Sequence, residues 1–147
     1  MEIENTSSPK KFKELLGIFA EVFEMEDFNI PSDVYLEHLL KKEDLIVIIA
    51  KHEDGVVGGL TIYRLMNYYS EKPLAYIYDV AVSPSYQRQG VGKQLMAYTK
   101  SFCLENGFEE AYVQADIIDQ HALEFYRKCN PSSESEVIQF SFNLIKS

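Results

Sequence analysis

Tryptophan is missing from this chain, cysteine occurs only twice, and no apolar run approaches the ~20 residues that a membrane span requires. Cys103 and Cys129 stand far apart, with no C-x-x-C pair and no histidine at metal-ligand spacing, so a zinc site is excluded and buried free thiols are expected. The histidines His38, His52 and His121 are scattered, and no G-x-S-x-G elbow supports a serine hydrolase. The N-terminus has neither the positive flank nor the apolar run of a secretion signal, which makes the cytoplasm the expected location. Basic residues are scarce, 14 against 23 acidic ones for a net charge of -9. That balance argues against nucleic acid, which needs a basic footprint. It suits a cationic small molecule or basic peptide, and equally a plain solvated acidic surface. Repeats, low-complexity tracts and linkers are also missing.

What is present is enough for one core. The 147 residues, 46% of them hydrophobic, fit a single domain spanning residues 1–147. Residues 10–24 carry Phe12, Leu15, Leu16, Phe19 and Val22 at helical spacing after the start signal Ser7-Ser8-Pro9. Ser32, after Pro31, can cap a second helix to about Lys42. The period then shortens. Residues 45–51 and 56–65 read as a hairpin about the turn Glu53-Asp54-Gly55, and residues 74–82, Leu-Ala-Tyr-Ile-Tyr-Asp-Val-Ala-Val, as the strongest strand. A helix over 91–106 stops at Gly107. A short strand at 111–115, a helix at 119–129 and a final alternating strand at 137–144 complete the order, which predicts a mixed sheet with helices packed on it.

The chemistry gathers where that strong strand ends and Gly90-Val91-Gly92 opens a helix. A helix start exposes unpaired amides and the positive end of the dipole, a natural anion site. Glycine at 90 and 92 removes β-carbons that would keep a pyrophosphate from the amides, Arg88 and Lys93 add charge, and Gln87 and Gln89 add neutral donors. A nucleotide P-loop is disfavoured because Gln94 follows Lys93, leaving no hydroxyl for magnesium. A dinucleotide fingerprint is disfavoured because residue 95 is Leu where the third glycine belongs.

Gln87, Gly90 and Gly92, following a hydrophobic strand, instead resemble the Gln/Arg-x-x-Gly-x-Gly/Ala motif of the GCN5-related N-acetyltransferases. The order of elements agrees with that family, whose first short strand would fall near residues 2–5, where the signal here is faint. The resemblance implies an α/β fold with a mixed, mostly antiparallel central sheet, splayed middle strands and about four flanking helices. It implies acetyl-CoA as cosubstrate and no metal. The pyrophosphate would lie on Gln87, Arg88, Gln89, Gly90, Val91, Gly92 and Lys93, and the pantetheine arm along the backbone of Val80, Ala81 and Val82. Ala122 and Tyr126 match the family's Ala-x-x-x-Tyr pattern, which makes Tyr126 the general acid near the sulfur. Cys129-Asn130 departs from the usual glycine turn after it, and on helical spacing alone Tyr126 reads as a core aromatic. Residues 76–82 and 112–116 further resemble the aminoglycoside 3-N-acetyltransferases of the first type, a group tied to antibiotic resistance.

An ammonium acceptor must lose a proton before it attacks a thioester, so carboxylates near the cofactor gap are the candidates for base and anchor. Asp116, at a strand end, is the first choice, with Asp79 and Asp119 next. Each has a structural alternative: Asp116 as a turn former, Asp79 as a partner of a backbone or tyrosine donor, Asp119 as an N-cap. The acids Glu21, Glu24, Glu26 and Asp27 read as a solvated helix face or as the rim of a polycation site. The expected reaction is acetyl transfer by direct attack to a primary amine of a small cationic molecule, an aminoglycoside 3-amino group in the sharpest form. Protein N-terminal, lysine or polyamine acetylation and a non-catalytic acyl-CoA binding module are the alternatives. A homodimer is compatible with the family, with residues 63–76 as contact surface.

Overall fold

The computed structural model describes residues 1–53 and 55–145, so the predicted turn at Asp54 lies outside the described residues. They divide into two compact units, Met1–Gln114 and Ala115–Ser147.

The first unit is an open five-stranded sheet with three helices. Its strands are β1 (Glu2–Thr6), β2 (Leu45–His52), β3 (Gly55–Leu65), β4 (Leu74–Val82) and β5 (Glu110–Val113), in the spatial order of the chain. The first four run antiparallel and β5 pairs parallel to β4. Its helices are α1 (Pro9–Val22), α2 (Asp33–Leu40) and α3 (Val91–Glu105). Ser8 and Ser32 cap the first two, their hydroxyls accepting from the amides of Lys11 and Tyr35, and Pro9 sits in the first turn where no amide is needed.

Strand alternation divides the core. Val47, Ile49 and Ala81 face α1 and α2, where they pack with Phe12, Leu15, Phe19 and Leu36. Ile48, Leu60, Ile62 and Ile77 alternate to the other face, covered by α3 through Val91, Leu95 and Met96. Gly59 lets α1 approach: a β-carbon there would stand 2.5 Å from the Ile48 carbonyl oxygen and 2.8 Å from Leu15 Cδ1. Cys103 lies on the buried side of α3, and burial pushes its thiol up to about 11, away from reactivity.

The second unit holds α4 (Gln120–Lys128), capped by Asp119. The short strand expected near residues 2–5 is present, and one expectation needs correction. Residues 2–6 form a full strand despite their polar sequence, because β2 supplies a partner for every residue. Residues 137–144 form no strand: they are exposed, and no strand pairs with them among the described residues. Their alternation meets the side-chain requirement of a strand, while the backbone requirement, a neighbouring ladder, is unmet.

Candidate active site

The site grows from an irregularity in β4. Leu60 pairs with Val80 and Ile62 with Ile77, so Tyr78 and Asp79 together stand opposite the single Thr61. This β-bulge turns Asp79 out of the regular alternation. Its amide donates to Thr61 Oγ1 at 3.4 Å, and its carboxyl lines a cleft of about 190 Å³ with Phe12, Phe19, Leu36, Thr61, Tyr63 and Tyr78. Half-buried among apolar and aromatic neighbours, the carboxyl is held above the usual carboxylate range by desolvation.

Tyrosines continue from the cleft along β4. Tyr63 meets Tyr78 edge-on at 5.3 Å, Tyr78 meets Tyr76 edge-on at 5.6 Å, and Tyr76 stacks on Tyr112 of β5 at 4.8 Å. The Tyr76 hydroxyl donates to Gln114 Oε1 at 3.1 Å. These rings clamp β4 to β5 over residues 74–77, where the strands pair. Beyond Ile77 the pairing ends, and β4 runs on to Val82 with β3 on one side only among the described residues. The backbone of Val80, Ala81 and Val82 therefore borders a gap into which an extended chain can hydrogen-bond as a strand would.

At the end of β4 the loop turns sharply into α3, with Arg88 at φ 61° and Gly90 at φ 83°. Glycine is needed at 90 for that left-handed angle, and a β-carbon there would point into open space. Gly90 caps α3 without a side-chain hydrogen bond, and no acid lies in the first turn, so the amides at Val91, Gly92 and Lys93 keep their capacity for an external anion. Gln87 and Gln89 have structural partners, their side-chain amides donating to the carbonyls of Val82 at 2.9 Å and Ser85 at 3.2 Å. The first bond ties the loop to the end of β4, and the second closes the loop on itself.

In the second unit Asp116 and Asp119 are exposed. Asp116 Oδ1 accepts from the Ile118 amide at 3.1 Å, and Asp119 Oδ1 accepts from the Ala122 amide at 3.1 Å as the N-cap of α4. Tyr126 lies on α4 with its ring edge-on to Phe125 at 5.0 Å. Thr61 and the bulge were missed by sequence reasoning; the one available signal was a threonine within an otherwise apolar stretch of β3. Among the described residues no group of three or more His, Cys, Asp or Glu side chains could hold a metal ion. None of the described helices is long and apolar enough to cross a membrane.

A bulged strand thus parts from its parallel neighbour beside a glycine turn whose helix start carries no side-chain cap. Residues 12–130 match the acetyltransferase (GNAT) family, and the chain belongs to it as an N-acetyltransferase. Among solved structures it is similar to an aminoglycoside acetyltransferase, meta-AAC0020, from an uncultured soil metagenomic sample. The complex of that protein with trehalose shows 47% identity and a TM-score of 0.95, covering 98% of this chain and 96% of the other. Its complex with sisomicin shows 46% identity, with the same TM-score of 0.95 and the same coverage, 98% and 96%. A second aminoglycoside acetyltransferase, HMB0005, also from an uncultured soil metagenomic sample, is 30% identical with a TM-score of 0.88, covering 98% of both chains. No curated protein matches the chain.

Proposed function

We propose that the protein transfers acetyl from acetyl-CoA to a primary amine of a small polycationic acceptor, an aminoglycoside, by direct attack. The observation that carries this reading is Asp79, a half-buried carboxyl on the bulge of β4, beside the gap and lining an aromatic cleft. The similarity to meta-AAC0020, which was crystallised with sisomicin, supports the acceptor class.

Acetyl-CoA supplies the thioester carbonyl when bound. The amides of Val91, Gly92 and Lys93, with Arg88, hold its pyrophosphate, and the backbone of Val80, Ala81 and Val82 holds its pantetheine arm. Asp79 accepts the proton that the acceptor ammonium must lose, its raised pKa matching it better to that task than an ordinary carboxylate. Tyr63 and Tyr78 offer ring faces to a cation. Asp116 keeps one carboxylate oxygen without a protein partner among the described residues, and with Asp119 it anchors the acceptor's further ammonium groups; Asp116 is also the competing base. Tyr126 returns a proton to the departing sulfur. Residues 1–147 act as a single N-acetyltransferase domain in the cytoplasm.

Thiol release from acetyl-CoA, followed with aminoglycosides, polyamines and lysine peptides, tests the acceptor. Fastest turnover with an aminoglycoside is expected; a peptide preference transfers the assignment to protein acetylation, and binding without turnover leaves an acyl-CoA binding module. For the donor site, Gly90→Val places a β-branched residue at positive φ, a strain of about 1–2 kcal/mol or more. Calorimetry should show a dissociation constant for acetyl-CoA at least ~10-fold higher. An unchanged constant would remove the pyrophosphate from this turn.

A further inference from the structure

β4 and β5 pair from Leu74 opposite Glu110 to Ile77 opposite Val113, and the ladder stops there. Gln114 is the first residue past that stop and the last of the first unit. Alternation along the strand puts it on the same side as Tyr112. Tyr76 is in register with Tyr112 and stacks on it at 4.8 Å, and its hydroxyl donates to Gln114 Oε1 at 3.1 Å. The bond therefore runs from inside the paired stretch of β4 to the first unpaired residue after β5.

Its place at the fork gives the contact a consequence. Where the ladder has ended, no main-chain hydrogen bond sets the distance between the strands, so side-chain ties decide where the opening begins. Tyr76 is itself held, edge-on to Tyr78 at 5.6 Å. Burial above all, then Tyr78, Tyr112 and Asp79, keeps its hydroxyl above the ordinary phenol range, so it stays protonated and a donor at neutral pH. Asp79 lies two residues beyond Ile77, about 7 Å of extended chain at most. The fork and the carboxyl are neighbours on one strand.

We propose that Tyr76 and Gln114 are positioning residues: their hydrogen bond closes the inner end of the gap and fixes how far the thioester end of the donor advances beside Asp79. The inference rests on the proposed function, in which the pyrophosphate lies at the start of α3 and the pantetheine arm along Val82, Ala81 and Val80. The arm then enters from the Val82 end, and its thioester is the part nearest the fork. With the bond intact, the thioester stops in register with Asp79. Without it, the fork opens toward Leu74 and the arm gains room to settle out of register. Misplacing a reacting group by about 1 Å can cost on the order of a hundredfold in rate, so the effect on turnover exceeds the effect on binding.

Tyr76→Phe removes the hydroxyl and keeps the ring on Tyr112, and Gln114→Ala removes the acceptor. Each should lower kcat with acetyl-CoA and the aminoglycoside turned over fastest by roughly tenfold, and raise the acetyl-CoA dissociation constant about two- to threefold. The double variant should be no worse than either single one, because the same bond is lost in all three. ADP, which carries the pyrophosphate and lacks the arm, should bind every variant as it binds the wild type. The pH profile of kcat/KM should also stay in place; a general loosening of the fold would move both. Gln114→Glu keeps an acceptor for the Tyr76 hydroxyl and should retain kcat to within about threefold. Unchanged kcat in both single variants overturns the proposal, as do losses that multiply in the double variant. Losses matched by equally weakened ADP binding overturn it too, as does a change confined to KM for the acceptor. A wild-type chain that binds no acetyl-CoA removes the proposed function along with this assignment, whereas normal binding and turnover with indifferent variants remove the assignment alone.

Discussion

Asp79 and Asp116 both end short motifs of similar appearance, Tyr-Ile-Tyr-Asp and Val-Gln-Ala-Asp, and the fold treats them oppositely. Asp79 is placed by a bulge in the middle of a sheet and is half-buried, and burial raises its carboxyl above the usual range. Asp116 stands exposed in a turn, with one oxygen spent on the amide of Ile118. A proton acceptor is made by an environment that tunes its basicity, and a cation anchor by one that leaves charge in water. On the proposed reading, that difference gives proton transfer to Asp79 and substrate holding to Asp116.

The sharpest way to break that division is to remove each charge in turn. Asp79→Asn should lower kcat by about 10²–10⁴-fold, the usual contribution of a positioned general base, with the acetyl-CoA dissociation constant unchanged. Asp116→Asn should act mainly on KM for the acceptor, by roughly tenfold or less, as expected of a solvated ion pair. Steady-state kinetics on both variants reverses the assignment if the larger fall in kcat follows Asp116.

The pH profile separates the two without relying on magnitude. A general base works only when ionised, and burial raises the Asp79 pKa from its ordinary value, so kcat/KM should fall with acid at a pH above the ordinary range of an aspartate. That acid limb should vanish in Asp79→Asn and survive in Asp116→Asn. Thr61→Val tests the placement itself. Loss of the hydroxyl that accepts from the Asp79 amide should cost about 0.5–1.5 kcal/mol of stability and lower kcat several-fold, with Thr61→Ser retaining both. Urea denaturation and kinetics on the pair of variants measure it.

The extent to which this site was legible follows from what each residue depends on. β4 could be bounded at Leu74 and Val82 because its apolar residues are β-formers and Pro84 follows, and Ser8, Ser32 and Asp119 announced helix starts by their own side-chain chemistry. Gly90 and Gly92 marked the helix start by type and position. The bulge left no such mark: alternation in Tyr-Ile-Tyr-Asp-Val reads the same with or without an extra residue, since the irregularity exists only relative to β3. For the same reason β1 was faint, its Glu-Ile-Glu-Asn-Thr stabilised by β2 more than by propensity, and residues 137–144 were overread, their pattern lacking a paired ladder. Features owned by one segment could be read from it. Features owned by a pair of strands could not.

The smallest predicted effect is also one that only the first of the two aspartates should show. Because the folded state holds a proton on Asp79 more tightly than the unfolded chain does, stability falls as pH rises from the ordinary aspartate range through the raised folded pKa, and stays lowered above it. Ionised Asp79 is thus a cost at neutral pH. Asp79→Asn should stabilise the protein there by roughly 1 kcal/mol or less, discounted because the group is only half-buried, and should make no difference once the pH is below the ordinary aspartate range. Asp116→Asn retains an amide oxygen for Ile118 and gains nothing from lost charge, so it should shift stability by no more than about 0.5 kcal/mol, with no gain at neutral pH. Thermal unfolding of the three proteins at neutral and acid pH measures the contrast. A carboxyl that lowers stability while raising the rate is held in place by its function, whereas one neutral to both would be ordinary surface; equal melting shifts for the two variants would erase the distinction drawn between them.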